Sequence, residues 1–277
     1  MDVGPLRDLL TAFAGLFTGA LSGAFGVGGA VISTPAIRAL GVPASVAIGT
    51  TLPSIFPSAV AGALRYRREQ LIDREAVVLT VPVGLVASVV GALLAGVIPG
   101  DGHLLMLLTA GLLAFTAFRM ARSIPPSAPG PVPAESGDPA PESPAPESPA
   151  PGRRSRSAFA LVGAGAGLLS GLLGIGGGIV MVPGFTQLAG LSIKSAIATS
   201  LVCVAAFAVP GTITHGALGN IDWRAAAFLA LTVIPGSRLG AAATMRASDR
   251  RLRQVVALLL GTTAVLYAGG EIAALVG

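Results

Sequence analysis

Residues 15–35 read GLFTGALSGAFGVGGAVISTP, and residues 163–183 read GAGAGLLSGLLGIGGGIVMVP. The two stretches align without a gap, sharing Gly15/Gly163, Gly19/Gly167, Leu21/Leu169, Ser22/Ser170, Gly23/Gly171, Gly26/Gly174, Gly28/Gly176, Gly29/Gly177 and Pro35/Pro183. Each copy is a glycine-striped apolar helix that runs into a glycine cluster and then into a short apolar segment ahead of a proline. A soluble core has little use for this pattern. A chain that must interrupt a helix at membrane depth does, because irregular backbone there is tolerated only where protein or a wet cavity satisfies its polar groups.

Composition agrees. With 53% hydrophobic and only 11% charged residues and a mean hydropathy of +0.80, the chain reads as an all-α, multi-pass integral membrane protein. Apolar segments fall at about 8–27, 30–41, 44–64, 76–98 and 103–121, then at 158–175, 178–190, 195–218, 224–246 and 253–276. Residues 30–41 and 178–190 are too short to cross a bilayer alone, since about 20 residues are needed. Between the two sets, residues 122–157 include the doubled APESP and almost no apolar side chain. Such a segment cannot bury enough surface to fold and reads as a disordered Pro-rich tether. The division is therefore a first membrane repeat at 1–121, a linker at 122–157 and a second membrane repeat at 158–277. No basic n-region precedes the first apolar run, so a cleaved signal peptide is not expected.

The repeat continues downstream. Ala47-Ile-Gly-Thr-Thr-Leu matches Ala196-Ile-Ala-Thr-Ser-Leu, Leu71-Ile72-Asp73 lies opposite Asn220-Ile221-Asp222, and Ser88-Val-Val-Gly91-Ala92 lies opposite Ser237-Arg-Leu-Gly240-Ala241. Charge then constrains topology. With the linker in the cytoplasm and five crossings per half, the basic residues at 65–74, 119–122, 153–156, 194 and 246–253 all fall inside, and only Arg7, Arg38 and Arg224 fall outside. The positive-inside rule thus favours two inverted repeats with both termini outside.

The glycines divide by spacing. Gly15, Gly19 and Gly23, like Gly163, Gly167 and Gly171, recur every four residues and form a smooth stripe for close helix packing. Gly26, Gly28 and Gly29, and likewise Gly174, Gly176, Gly177 and Gly178, are too dense for an ordinary helix, each costing about 1 kcal/mol of helix propensity. They open two half-helices whose N-terminal amides suit an anion, or they simply turn the chain. Thr50, Thr51 and Ser54, matched by Thr199 and Ser200, either bond the preceding helical turn or reach a ligand. Pro53, Pro57 and Pro210 weaken the local ladders. Arg238 is the strong charge placed inside a span and an anion-contact candidate by default, with snorkelling to the cytoplasmic face as the alternative.

Several chemistries lack their residues. No Gly-Lys-Ser/Thr follows either cluster, and the Rossmann spacing fails at Val31 and Ile179. His103 and His215 have no second ligand at metal spacing, the single Cys203 builds no cluster, and neither HExxH, GxSxG nor a buried carboxylate dyad occurs. No catalytic residue, metal, cofactor or nucleic-acid partner is expected.

The glycine-rich helix ending in Ser-Gly-x-x-Gly-x-Gly-Gly, the following proline, the Gly-Thr-Thr-Leu and Ala-Thr-Ser-Leu pair and the short Asn-Ile-Asp-Trp together resemble the TauE/SafE sulfite-exporter family, over roughly 10–120 and 158–275. That resemblance implies a bacterial-type inner-membrane carrier, an exporter of small sulfur-containing or organic anions such as sulfite or sulfoacetate. It also implies pathway roles for the glycine clusters, the threonine/serine pairs and His215. The expectation is a secondary transporter working by alternating access at the repeat interface, coupled to H+ or Na+. A passive anion channel is the alternative; a membrane-embedded enzyme or a structural subunit fits less well.

Overall fold

The computed structural model describes residues 4–39, 41–95, 103–122, 156–173 and 176–276. Among the described residues the chain forms ten α-helices and no strand. The first five are α1 (Pro5–Phe25), α2 (Ala30–Ala39), α3 (Ala44–Arg67), α4 (Arg74–Ala95) and α5 (His103–Arg122); the second five are α6 (Arg156–Leu173), α7 (Gly178–Gln187), α8 (Ile193–Ala217), α9 (Trp223–Arg246) and α10 (Asp249–Val276). They coincide with the ten apolar segments of the sequence, with ends moved by a few residues. Six of them, α1, α3, α4, α8, α9 and α10, are long and apolar enough to cross a membrane, while α6 is a shorter apolar helix. With ten residues each, α2 and α7 are about 15 Å long, half the hydrocarbon thickness. The expected tether lies outside the described residues, apart from its first and last positions, Arg122 and residues 156–157, which are helical.

The helices exchange partners between halves. The most extensive packing joins α1 to α9 and α6 to α4, followed by α5 with α10 and α3 with α9 and α8. The glycine stripes explain the first two. A Cβ on Gly15, Gly19 or Gly23 would collide with Thr232, Val233 or Ser237 of α9, and one on Gly163, Gly167 or Gly171 with Thr80, Gly84 or Ser88 of α4. The facing helices reciprocate, since Gly236 and Gly240 lie against the carbonyls of Leu16 and Ala20, and Gly91 against that of Leu168. Hydrocarbon tails offer no hydrophobic drive between helices, so close backbone approach and dispersion hold such pairs together.

These contacts fix directions. Along α1, positions 15, 19 and 23 meet α9 in increasing order, so the two helices run parallel; α6 runs parallel to α4 by the same reasoning. Thr50 meets the Asp222 amide just ahead of α9 and, farther along, the Ser58 carbonyl accepts from the Ser237 hydroxyl at 2.7 Å. α3 therefore runs with α9 and so with α1, whose Gly23 carbonyl accepts from the Tyr66 hydroxyl at 2.8 Å. At the start of α8, Ser195 donates to the Leu71 carbonyl just ahead of α4, and farther along Phe207 covers Gly84, so α8 follows α4. One end of the bundle holds the ion pairs Arg7–Asp222 (3.1 Å) and Arg224–Asp8 (2.6 Å). The other end gathers Arg65, Arg67 and Arg68 around one cavity, and there Lys194 reaches the Met245 carbonyl.

Inside, the polar residues are mostly of one kind. Among the described residues the buried polar side chains are serine and threonine hydroxyls, with the Tyr66 hydroxyl and the His215 Nδ1 beside them. Serine and threonine hydroxyls can bond the preceding turn of their own helix and need no counter-charge. Large apolar residues such as Phe13, Leu93, Leu161, Leu231 and Val265 point outward, where lipid would receive them.

Candidate functional site

Both glycine clusters break the chain. At the end of α1, Gly26 adopts the left-handed conformation (φ 71°, ψ 17°) and its N–H donates to the Ser22 carbonyl at 2.8 Å, a capping geometry that glycine adopts without a Cβ penalty. Gly28 (φ 89°) and Gly29 (φ 78°) stay in the same region and turn the chain back along α1. The reversal is deep. A Cβ on Gly29 would stand 3.5 Å from the carbonyl of Thr18, eleven residues upstream. In the second half Gly176 (φ 76°) and Gly177 (φ 68°) repeat the turn, and Gly177 packs on the Ala166 carbonyl of α6. Gly174 lies outside the described residues.

The two breaks meet. Gly178, the first residue of α7, lies against the carbonyl of Gly26, and a Cβ there would sit 2.8 Å from the Cα of Val27. Both short helices thus start from one buried point, with Ala30 and Gly178 inaccessible. They leave it in opposite directions. α2 runs toward a small apolar cluster of Ile37, Val42, Ala47 and Leu229, near the N-terminal end of α9. α7 runs toward the start of α8, and its Gln187 accepts from Arg119 Nε at 3.1 Å. The first-turn amides of a helix have no intrahelical acceptor, so two positive helix ends face each other here.

Hydroxyls surround this point. The Ser200 hydroxyl donates to the carbonyls of Gly26 (3.0 Å) and Ile197 (2.9 Å) and leaves no space for a Cβ on Gly26. Its repeat counterpart Thr51 bonds the Ile48 carbonyl at 3.0 Å and shares a 3.1 Å hydrogen bond with Thr34 of α2. The neighbouring pair does something else. Thr50 Oγ1 accepts from the Asp222 amide at 2.9 Å, and Thr199 Oγ1 accepts from the Asp73 amide at 3.0 Å. Both aspartates in turn cap the fourth helix of their half: Asp222 accepts from Arg224 and Ala225, Asp73 from Ala76. Each half's threonine therefore anchors the other half's helix start.

The remaining sequence candidates lie elsewhere. Arg238 is exposed and faces a cavity with Ala61, Leu64, Arg65, Arg67 and Arg68, whose described lining includes none of the glycine-cluster residues. His215, near the end of α8, has a buried Nδ1 with no partner among the described residues, 3.2 Å from where a Cβ on Gly49 would stand. Two residues missed as site members are Ser22 and Ser170. They occupy the same repeat position, both are buried, and neither hydroxyl has a partner among the described residues. Ser22 lies beside Gly29. Their signal in the sequence was a serine kept at matching places in two glycine-rich stretches.

Comparison with known proteins agrees with this architecture. A family model described as sulfite exporter TauE/SafE matches residues 11–267. The chain is 28% identical over 269 residues to the probable membrane transporter protein MJ0441 of Methanocaldococcus jannaschii, covering 91% of this chain and 92% of that one. It is 24% identical over 264 residues to the probable membrane transporter protein YunE of Bacillus subtilis, covering 89% and 92%. A 31% identical stretch of 198 residues matches the probable membrane transporter protein MamO of Magnetospirillum gryphiswaldense; it takes in 65% of this chain but spans only 31% of MamO. No solved structure matches the chain. A helical bundle with six membrane-length helices, two glycine breaks in contact and a family match over nearly its whole length identify the chain as a multi-pass membrane transporter belonging to the TauE/SafE family.

Proposed function

We propose that this transporter is a secondary carrier of a small anion, exporting a sulfur-containing or organic anion such as sulfite or sulfoacetate across a bacterial inner membrane. The observation that carries this reading is the meeting of the two breaks, where the starts of α2 and α7 face each other among buried hydroxyls. Each helix N-terminus is equivalent to about half a positive charge, and a partly buried anion gains up to about 2 kcal/mol from one. Hydroxyls add hydrogen bonds without a fixed counter-charge that would trap the ion. Ser200, bonded to the Gly26 carbonyl, and Ser22, beside Gly29, would contact the ion, joined by Ser170, Thr51 and Thr34 and by the backbone of Gly26, Gly28, Gly29, Gly176, Gly177 and Gly178.

The halves are read as inverted. α1 and α3 run with α9, while α4 runs with α6 and α8, so each helix of one half is parallel to a non-equivalent helix of the other; this supports opposite insertion of two like units. The arginine-rich end is then cytoplasmic by the positive-inside rule, and both termini lie outside. Gly178 touches Gly26, so an ion-sized space there requires one half to rock against the other, which favours alternating access over an open pore. H+ or Na+ coupling is part of the proposal, with His215 as the group whose unpartnered nitrogen a proton would occupy.

Reconstitution in proteoliposomes tests the reading. Saturable flux of sulfite or sulfoacetate that depends on a proton or sodium gradient is expected. Flux that rises linearly with concentration would point to a channel, and no flux of any small anion from folded protein would sink the carrier.

A further inference from the structure

At the arginine-rich end, a cavity of about 480 Å3 opens between α3 and α9, lined by Ala61, Leu64, Arg65, Arg67, Arg68 and Arg238. Four guanidinium groups share it. Arg65 has a carboxylate partner, Glu69, at 2.9 Å one turn away. Among the described residues no carboxylate pairs with Arg67, Arg68 or Arg238. Gathering like charges is unfavourable unless an anion joins them, and guanidinium forks match a phosphate geometrically.

The cavity lies on the outer surface of the bundle. Arg238 belongs to the same exposed stripe of α9 as Leu231 and Leu239, and on α3 Phe56 and Leu64 are likewise exposed. Its neighbour Ser237 points the other way, into the bundle, where its hydroxyl meets the Ser58 carbonyl. Arg238 stands eight residues before the end of α9 at Arg246, about 12 Å inward at 1.5 Å per residue. An arginine placed there on a lipid-facing surface snorkels toward the headgroup level, where phosphate is the available counter-ion. We infer that this cavity binds the phosphate headgroup of an anionic phospholipid, with the acyl chains lying over Leu64, Leu239 and Phe56. Basic pockets between membrane helices on the cytoplasmic side suit such headgroups. The apolar rim distinguishes a lipid from free phosphate, which would gain nothing from it.

Native mass spectrometry of the full chain, released from mixed phosphatidylglycerol and phosphatidylcholine nanodiscs, tests the site. Wild-type protein should retain phosphatidylglycerol over phosphatidylcholine. Arg238→Gln and Arg68→Gln should each weaken that retention about fivefold, the scale of one basic side chain near a charged membrane surface. Arg224→Gln, at the opposite end, should leave it unchanged. Equal retention of the two lipids by the wild type overturns the proposal without any variant, and so does an unaltered preference in the folded Arg68/Arg238 double variant. Inorganic phosphate at millimolar concentration separates the sources: if it occupies the site and displaces the lipid completely, the lipid assignment falls.

Discussion

Gly19 of α1 lies against Val233 of α9, and Gly167 of α6 lies against Gly84 of α4; both members of the first contact have their repeat equivalents in the second. The same holds for Gly15 with Leu229 against Gly163 with Thr80, and for Gly23 with Ser237 against Gly171 with Ser88. Even the ion pair at the helix starts recurs with its signs exchanged: Asp8–Arg224 in one place, Arg156–Glu75 at 3.7 Å in the other. Away from the stripes the halves diverge. Where Ser237 bonds the backbone carbonyl of Ser58, the equivalent Ser88 hydroxyl is buried without a partner among the described residues, and the position of Ser58 is taken by Phe207, whose ring covers Gly84. Tyr66, bonded to the Gly23 carbonyl, is replaced by His215, and Arg238 by Val89. Backbone-to-backbone packing tolerates little variation, so it stays symmetric. Side-chain chemistry carries no such restriction and has become specific to each half.

The largest effect expected from this symmetry is at the stripes. Gly19→Ala and Gly167→Ala each force a methyl into a backbone carbonyl and should destabilise by about 2–3 kcal/mol, within the range for overpacking. Thermal unfolding in detergent should show similar losses for the two, while Gly165→Ala, with nothing within 4 Å, stays near wild type. A Gly167 variant as stable as the Gly165 variant would break the comparison.

Next in size are the breaks. Gly26→Ala and Gly176→Ala both place a Cβ in the left-handed region, at about 1–2 kcal/mol. Gly26→Ala also displaces the Ser200 hydroxyl, whereas the nearest atom at Gly176 is a Val204 methyl at 3.1 Å. Anion flux in proteoliposomes should therefore fall further for Gly26→Ala, and equal losses would argue that the left-handed turn alone matters.

Removing the reciprocal anchors is milder. Thr50→Val and Thr199→Val each leave a half-buried amide short of its acceptor, at about 0.5–1.5 kcal/mol. The two sites lie at opposite ends of the bundle, so their effects should add in a double-mutant cycle within about 0.5 kcal/mol. Strong coupling would mean that the anchors act through a shared movement of the halves.

Smallest are the ion pairs. Arg224→Gln and Arg156→Gln should each change stability by less than about 1 kcal/mol, and any loss should shrink with added salt. The Asp8–Arg224 pair, the shorter and less exposed of the two, should show the larger change.

Much of this was legible in the chain. The apolar runs name all ten helices, and the four-residue glycine spacing at Gly15, Gly19 and Gly23 marks a packing stripe without identifying its partner. The dense clusters at 26–29 and 176–178 marked the breaks, because few sequences place glycines so closely without needing positive φ. The site was less so. Thr50 and Thr199 read as pathway hydroxyls beside Thr51 and Ser200, yet their oxygens accept amides 172 and 126 residues away in sequence. Ser22 and Ser170 stand in the sequence only as matched positions of the repeat, and their lack of a partner among the described residues appears only when the helices around them are in place.

Local chemistry therefore determined the helices, the breaks, the twofold repetition and the charge imbalance between loops, since each depends on residues a few positions apart. Rotation and partnership were decided only in three dimensions. Hydropathy put Arg238 inside a span but could not say which face of α9 it occupies; packing of Gly236 and Gly240 on α1 turns it outward to the arginine cavity. The paired glycine clusters showed that the chain breaks twice, and the tertiary fold brought Gly178 onto Gly26, because swapped helix pairing carries each break back into the centre of the bundle.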